Sequence, residues 1–128
     1  MLTNFEDQQP PAVREHAPTI LRGLKRYNKD QPKKSKDIEQ ALGISGVTVR
    51  AAVSYLREKG EPIGSGSGGY YYDPHWKEMP NTIAHLRQRA TRMETVAKAL
   101  EQAMARQGKG VDDKVAKVAE VFDGDVMS

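Results

Sequence analysis

A chain of 128 residues with 38% hydrophobic and 29% charged side chains holds one modest domain, or a small domain with an appendage. It has no cysteine, which excludes disulfide frameworks, thiolate zinc sites and cysteine nucleophiles. No apolar run approaches the roughly 18–20 residues of a membrane span, and MLTNFEDQQPP lacks the features of a signal peptide. No membrane partner and a cytoplasmic location are therefore expected.

The net charge of +3 is small, but its distribution is uneven. Ten Lys/Arg face four acids between Arg22 and Lys59, whereas two lysines face five acids between Gly110 and Ser128. A basic front and an acidic tail fit a polyanion-binding face; they also fit an ordinary solvated surface.

The chain opens with a polar stretch ending in Pro10-Pro11. Val13, Ala17, Ile20, Leu21 and Leu24 recur at helical spacing, interrupted by Pro18. Because an interior proline removes a hydrogen bond and clashes with the preceding turn, the helix is predicted to begin near Pro18, with His16 or Ala17 close to its cap. Residues 1–17 are then a loose arm, and Lys29-Asp30-Gln31-Pro32 ends the helix.

Ser35 is expected to cap a second helix, with Asp37 in its first turn and Ile38, Ala41 and Leu42 facing inward. Gly43 ends it by allowing a left-handed backbone, and Ile44 plugs the corner. Ser45 caps a third helix running to about Lys59, with Val49, Ala52, Val53 and Leu56 on one face. Gly60 ends that helix. A two-stranded hairpin follows, Pro62-Ile63-Gly64 against Tyr70-Tyr71-Tyr72, with Ser65 to Gly69 as its tip. The tyrosines alternate in direction, so at least one should pack on the core. Trp76 is expected to anchor the following linker, having area to bury.

This order of elements resembles the winged helix-turn-helix family over about Pro18–Asp73, with Gly43 and Ile44 matching the small residue and apolar plug of the family's turn. The resemblance implies a winged helix-turn-helix unit over 18–76 that binds double-stranded DNA. A rotation of about 100° per residue turns Val47, Ala51, Ser54 and Glu58 outward on the third helix, with Thr48 and Arg50 on its flanks. Base reading is expected from Val47, Thr48, Arg50, Ala51 and Ser54, above all from Arg50, whose guanidinium can contact guanine O6 and N7 together. Phosphate contacts are expected from Lys33, Lys34, Ser35 and Lys36, from Ser45, and from Ser65 and Ser67 in the hairpin. The hairpin tip departs from the family in lacking Arg and Lys, which leaves it hydroxyls and backbone amides. The same residues also fit a three-helix unit that binds protein.

From Asn81 to about Gln107 a long helix is predicted, in which Ile83, Leu86, Ala90, Met93, Ala97, Leu100 and Met104 form a heptad seam. A coiled-coil homodimer is the favoured use of that seam, with Arg89 and Glu94 meeting in a parallel pair; packing within the chain is the other. Val96 and Ala103 broaden the apolar face. A short terminal helix is predicted over Val111, Val115, Val118 and Phe122, completing a helical dimerisation or partner-binding segment over 77–128.

The expected fold is thus mainly α with a small β-hairpin, followed by a long C-terminal helix and a short terminal helix. No metal site, cofactor or catalytic constellation is expected: His16, His75 and His85 are scattered, and GSGSGG lacks the lysine and helix of a phosphate-binding loop. The function these readings favour is a non-enzymatic, homodimeric DNA binder in transcription regulation, of a kind found in bacteria and their phages. The alternatives are a phage accessory protein acting on a host protein partner, as in anti-CRISPR inhibitors that carry a DNA-binding unit, and a replication or recombination accessory.

Overall fold

The structure, a computed structural model, describes residues 9–108 and Lys117. Residues 1–8 of the expected arm lie outside the described residues, as do the predicted terminal helix and the acidic tail apart from Lys117. The described chain is mainly helical, with one two-stranded antiparallel sheet and a long C-terminal helix.

Helix α1 spans Pro11–Leu24 and runs straight through Pro18. The prediction of a start near Pro18 is therefore corrected, and the expected arm is helical from Pro11 onward. Pro11 sits where a helical N–H would be unpaired in any case. Pro18 lies on the exposed side, as does Arg14, whose carbonyl loses its helical partner to the proline. Val13, Ala17, Ile20 and Leu24 are all buried on the other side, and their burial offsets the roughly 3 kcal/mol cost of an interior proline.

Helix α2 spans Ser35–Leu42. Its N-cap is Lys34, not Ser35, and no side chain caps it; the Ser35 hydroxyl instead donates to Glu39 Oε2 at 3.0 Å. Gly43 ends α2 at φ 64° and ψ 39°, a left-handed conformation that costs glycine little. Helix α3 spans Gly46–Glu58, and Ser45 caps it by accepting the Thr48 N–H at 3.2 Å. Val49, Ala52, Val53 and Leu56 are buried together, joined by Tyr55. They close a core with the α1 stripe, Ile38 of α2 and Ile63, against which Leu42 and Ile44 pack.

Strand β1 spans Ile63–Gly66 and pairs with β2, Gly69–Tyr72, in the register Ile63 to Tyr72 and Gly66 to Gly69. The tip is thus only Ser67 and Gly68, shorter than expected, and Ser65 lies within a strand. Three ties hold the hairpin to the helices. Tyr70 exchanges both backbone hydrogen bonds with Lys33, at 2.7 and 2.8 Å. The Tyr72 N–H donates to the Tyr27 carbonyl at 3.3 Å. Arg57, in the last turn of α3, donates Nε to the Ile63 carbonyl at 2.9 Å and Nη2 to Ser65 Oγ at 3.2 Å. The alternation of tyrosines puts Tyr70 and Tyr72 partly against the core and buries Tyr71 on the other side of the hairpin.

Helix α4 spans Met79–Arg106, starting two residues before the predicted Asn81. Trp76 does not anchor the approach to it: it is 53% exposed, at a φ of 59°. The buried Asp73 carboxylate does so, accepting the Lys77 N–H at 3.2 Å and the Glu78 N–H at 2.7 Å. Met79 and Thr82 are buried as well, and Thr82 hydrogen-bonds the Tyr71 hydroxyl. The first compact unit accordingly runs to Ile83, and the second begins at Ala84.

Burial raises the Tyr71 phenol above its ordinary value; the Thr82 hydrogen bond opposes this, and the Glu78 and Asp73 carboxylates add to it. Tyr72 is raised too, by burial and then by Glu61 beside it. The fold therefore prefers both phenols neutral. Their contribution to stability is complete below about pH 10, the ordinary tyrosine value, and is lost as pH rises above it. Urea unfolding is expected to show that decline, and Tyr71→Phe should make it shallower. An identical alkaline slope in the variant would remove Tyr71 from the account.

Candidate functional site

The inward stripe of α3 fixes what the helix presents on its other side. Val47 is 39% exposed, and Arg50 and Ser54 are exposed. Thr48 is half-buried, its hydroxyl 3.1 Å from that of Ser45. Ala51 lies further in than expected, half-buried and packed on the core. The outer face of α3 therefore offers the Arg50 guanidinium, the Ser54 hydroxyl and the Val47 side chain, with the Glu58 carboxylate exposed at its far end.

The seven residues expected to hold phosphate divide into two groups. Lys34, Lys36, Ser45 and Ser67 are exposed. The other three are half-buried and, like Ser45 in its cap on Thr48, have structural partners. Lys33 is half-buried; its ammonium lies 3.9 Å from Asp37 Oδ2 and 5.3 Å from the centre of the Tyr27 ring. The Ser35 hydroxyl is committed to Glu39, and Ser65 accepts from Arg57.

The start of α2 and the hairpin tip are brought together by the Lys33–Tyr70 bridge. At Gly68, a side-chain carbon would come within 2.7 Å of Pro32 Cγ, and at Gly69 one would come within 2.9 Å of the Lys34 nitrogen. Glycine at these two positions lets the turn sit directly on the chain entering α2. The ammonium groups of Lys34 and Lys36 thus extend from a segment that also touches the tip carrying Ser67. Such a cluster of cations, a hydroxyl and backbone amides can bind an anion without any one strong contact.

Residue spacing gave no warning of Arg57. It looked like one more cation in the basic front, yet it ties α3 to β1 by two hydrogen bonds and lies 6.0 Å from the Tyr70 ring centre. Its place one turn beyond the buried Val53, just ahead of the hairpin, is the signal that could have found it.

Comparison with family models, with curated proteins and with solved structures finds no match for this chain. The site thus rests on its own geometry. Among the described residues no group of three or more His, Cys, Asp or Glu could hold a metal ion, and no helix is long and apolar enough to cross a membrane.

In α4, beyond Ile83, the expected seam is exposed for most of its length. Leu86 is 40%, Met93 61% and Leu100 62% exposed, and Ala90 and Ala97 are exposed between them. Met104 is half-buried, so the open part of the stripe ends at Leu100.

Proposed function

We propose that this protein binds double-stranded DNA sequence-specifically, as a winged helix-turn-helix unit whose copies associate through α4. Helix α2, the Gly43–Ser45 corner and α3 form the helix-turn-helix, and β1 and β2 form the wing. The observation that carries this reading is the division of α3: an apolar side closed into the core and an open side carrying Arg50, Ser54 and Val47. A helix so divided can enter the major groove, where its small outward residues permit close approach and Arg50 meets a guanine edge.

Backbone anchoring falls to Lys34 and Lys36, with Ser45 at the N-terminus of α3 and Ser67 at the wing tip. The role first expected of Lys33 passes to its neighbours, because its side chain lies between Asp37 and Tyr27. Acting from the cytoplasm, a homodimer of this kind would regulate transcription by occupying its site, without enzymatic chemistry.

Selection of bound fragments from random duplex DNA tests the reading: a recurring half-site is expected, and recovery of random sequence would reject it. The same duplexes test the anchors. Lys34→Ala with Lys36→Ala should weaken all sequences alike and flatten the salt dependence by about two units of log slope, one per lost phosphate contact. An unchanged slope would remove both lysines from the interface.

A further inference from the structure

The apolar stripe of α4 alternates in size along its length, and that alternation bears on how two copies meet. On one edge stand Ile83, Ala90 and Ala97; on the other, Leu86, Met93 and Leu100. In a parallel pair each residue faces its own counterpart. Ala90 would then meet Ala90 and Ala97 meet Ala97, leaving two thin layers between layers of paired large side chains. Underfilled layers forfeit contact and leave voids.

We infer that α4 docks against a second copy of itself in the antiparallel sense, with Ala90 of one copy facing Met93 of the other. This inference rests on the self-association proposed above. In the same register Leu86 faces Ala97 and Ile83 faces Leu100, each contact occurring twice by symmetry. Four of the six layers then combine an alanine with a large side chain, which fills them evenly and lets the helices approach closely.

The residues flanking the stripe agree. This register sets Arg87 of each copy beside Glu94 of the other, two opposite-charge contacts with no like charges facing. Arg89 lies beside Val96 of the second copy, where its aliphatic stem can cover the 54% exposed valine. The layers use the open part of the stripe and leave out the half-buried Met104.

The native chain lacks cysteine, so single introduced thiols in the full-length protein report pairing directly. Differently tagged Leu86→Cys and Ala97→Cys chains are mixed and oxidised; both positions are exposed and outside the core. The expected product is the mixed disulfide between them. Arg87→Glu should raise the dimer dissociation constant roughly fivefold, and adding Glu94→Arg should restore it. Disulfides only between identical chains, or rescue by Arg89→Glu with Glu94→Arg instead, would overturn the antiparallel pairing while leaving self-association intact. A chain that sediments as a monomer at every concentration would overturn the self-association beneath it.

Discussion

Arg50→Ala is expected to abolish discrimination at one base pair of the selected half-site while leaving the fold unchanged. The side chain is exposed on α3, while Val49 just before it and Ala52 two residues after it are buried in the core. Its removal opens no cavity, so thermal unfolding should match the wild type. What is lost is a two-pronged contact worth about 1–3 kcal/mol, or roughly 5- to 150-fold in the ratio of affinities for the selected duplex and its single-base variant. Residual binding should persist through Lys34 and Lys36, with its salt dependence largely kept. Titration of both duplexes with both proteins decides the matter. An unaltered ratio in the variant would mean that α3 does not read bases through this residue.

Gly69→Ala should be the most damaging single-methyl change in the hairpin. Two independent costs coincide there. The backbone stands at φ 132°, a conformation that side-chain-bearing residues rarely adopt. A Cβ would also overlap the Lys33 carbonyl, which is rigid backbone already bonded to the Tyr70 N–H. Together they should cost about 3 kcal/mol or more, and relief requires breaking the Lys33–Tyr70 bridge. Gly66→Ala is the control, because no atom lies within 4 Å of its would-be Cβ and its φ is ordinary. Equal midpoints for the two variants in urea unfolding would refute the account. If the proposed DNA interface is right, DNA affinity should fall further in Gly69→Ala than the lost stability explains, since the bridge also seats the hairpin tip beside the chain carrying Lys34.

The middle of the chain was legible in its sequence because local rules there agree with one another. The period of Val49, Ala52, Val53 and Leu56 marked the buried side of α3, Gly43 marked the left-handed corner, and Ser45 marked the cap. Where one local rule was read without its surroundings, it misled. Pro18 suggested a helix start, but a proline on the solvent side of a helix with four buried residues costs less than the burial gains. Trp76 suggested an anchor by its size. The anchoring came from Asp73, whose two oxygens take the amides of Lys77 and Glu78, and no spacing rule announces that turn. Ser35 likewise looked like a cap, yet the helix begins on it rather than after it.

The outer face of α3 could be read from helical rotation alone, apart from the half-buried Ala51. The fates of Lys33 and Ser65 could not. Lys33 is held by Tyr27, which the fold brings over it, as well as by Asp37 one helical turn away, and the hairpin register puts Ser65 against Arg57.

Trp76 is the chain's one tryptophan, and it stands half in water at a left-handed backbone position between the hairpin and α4. The tryptophan fluorescence of the native protein therefore originates outside the core. Its emission colour is poorly placed to follow melting of the helices. It is well placed to register anything that settles onto the segment leading into α4, with no dye attached.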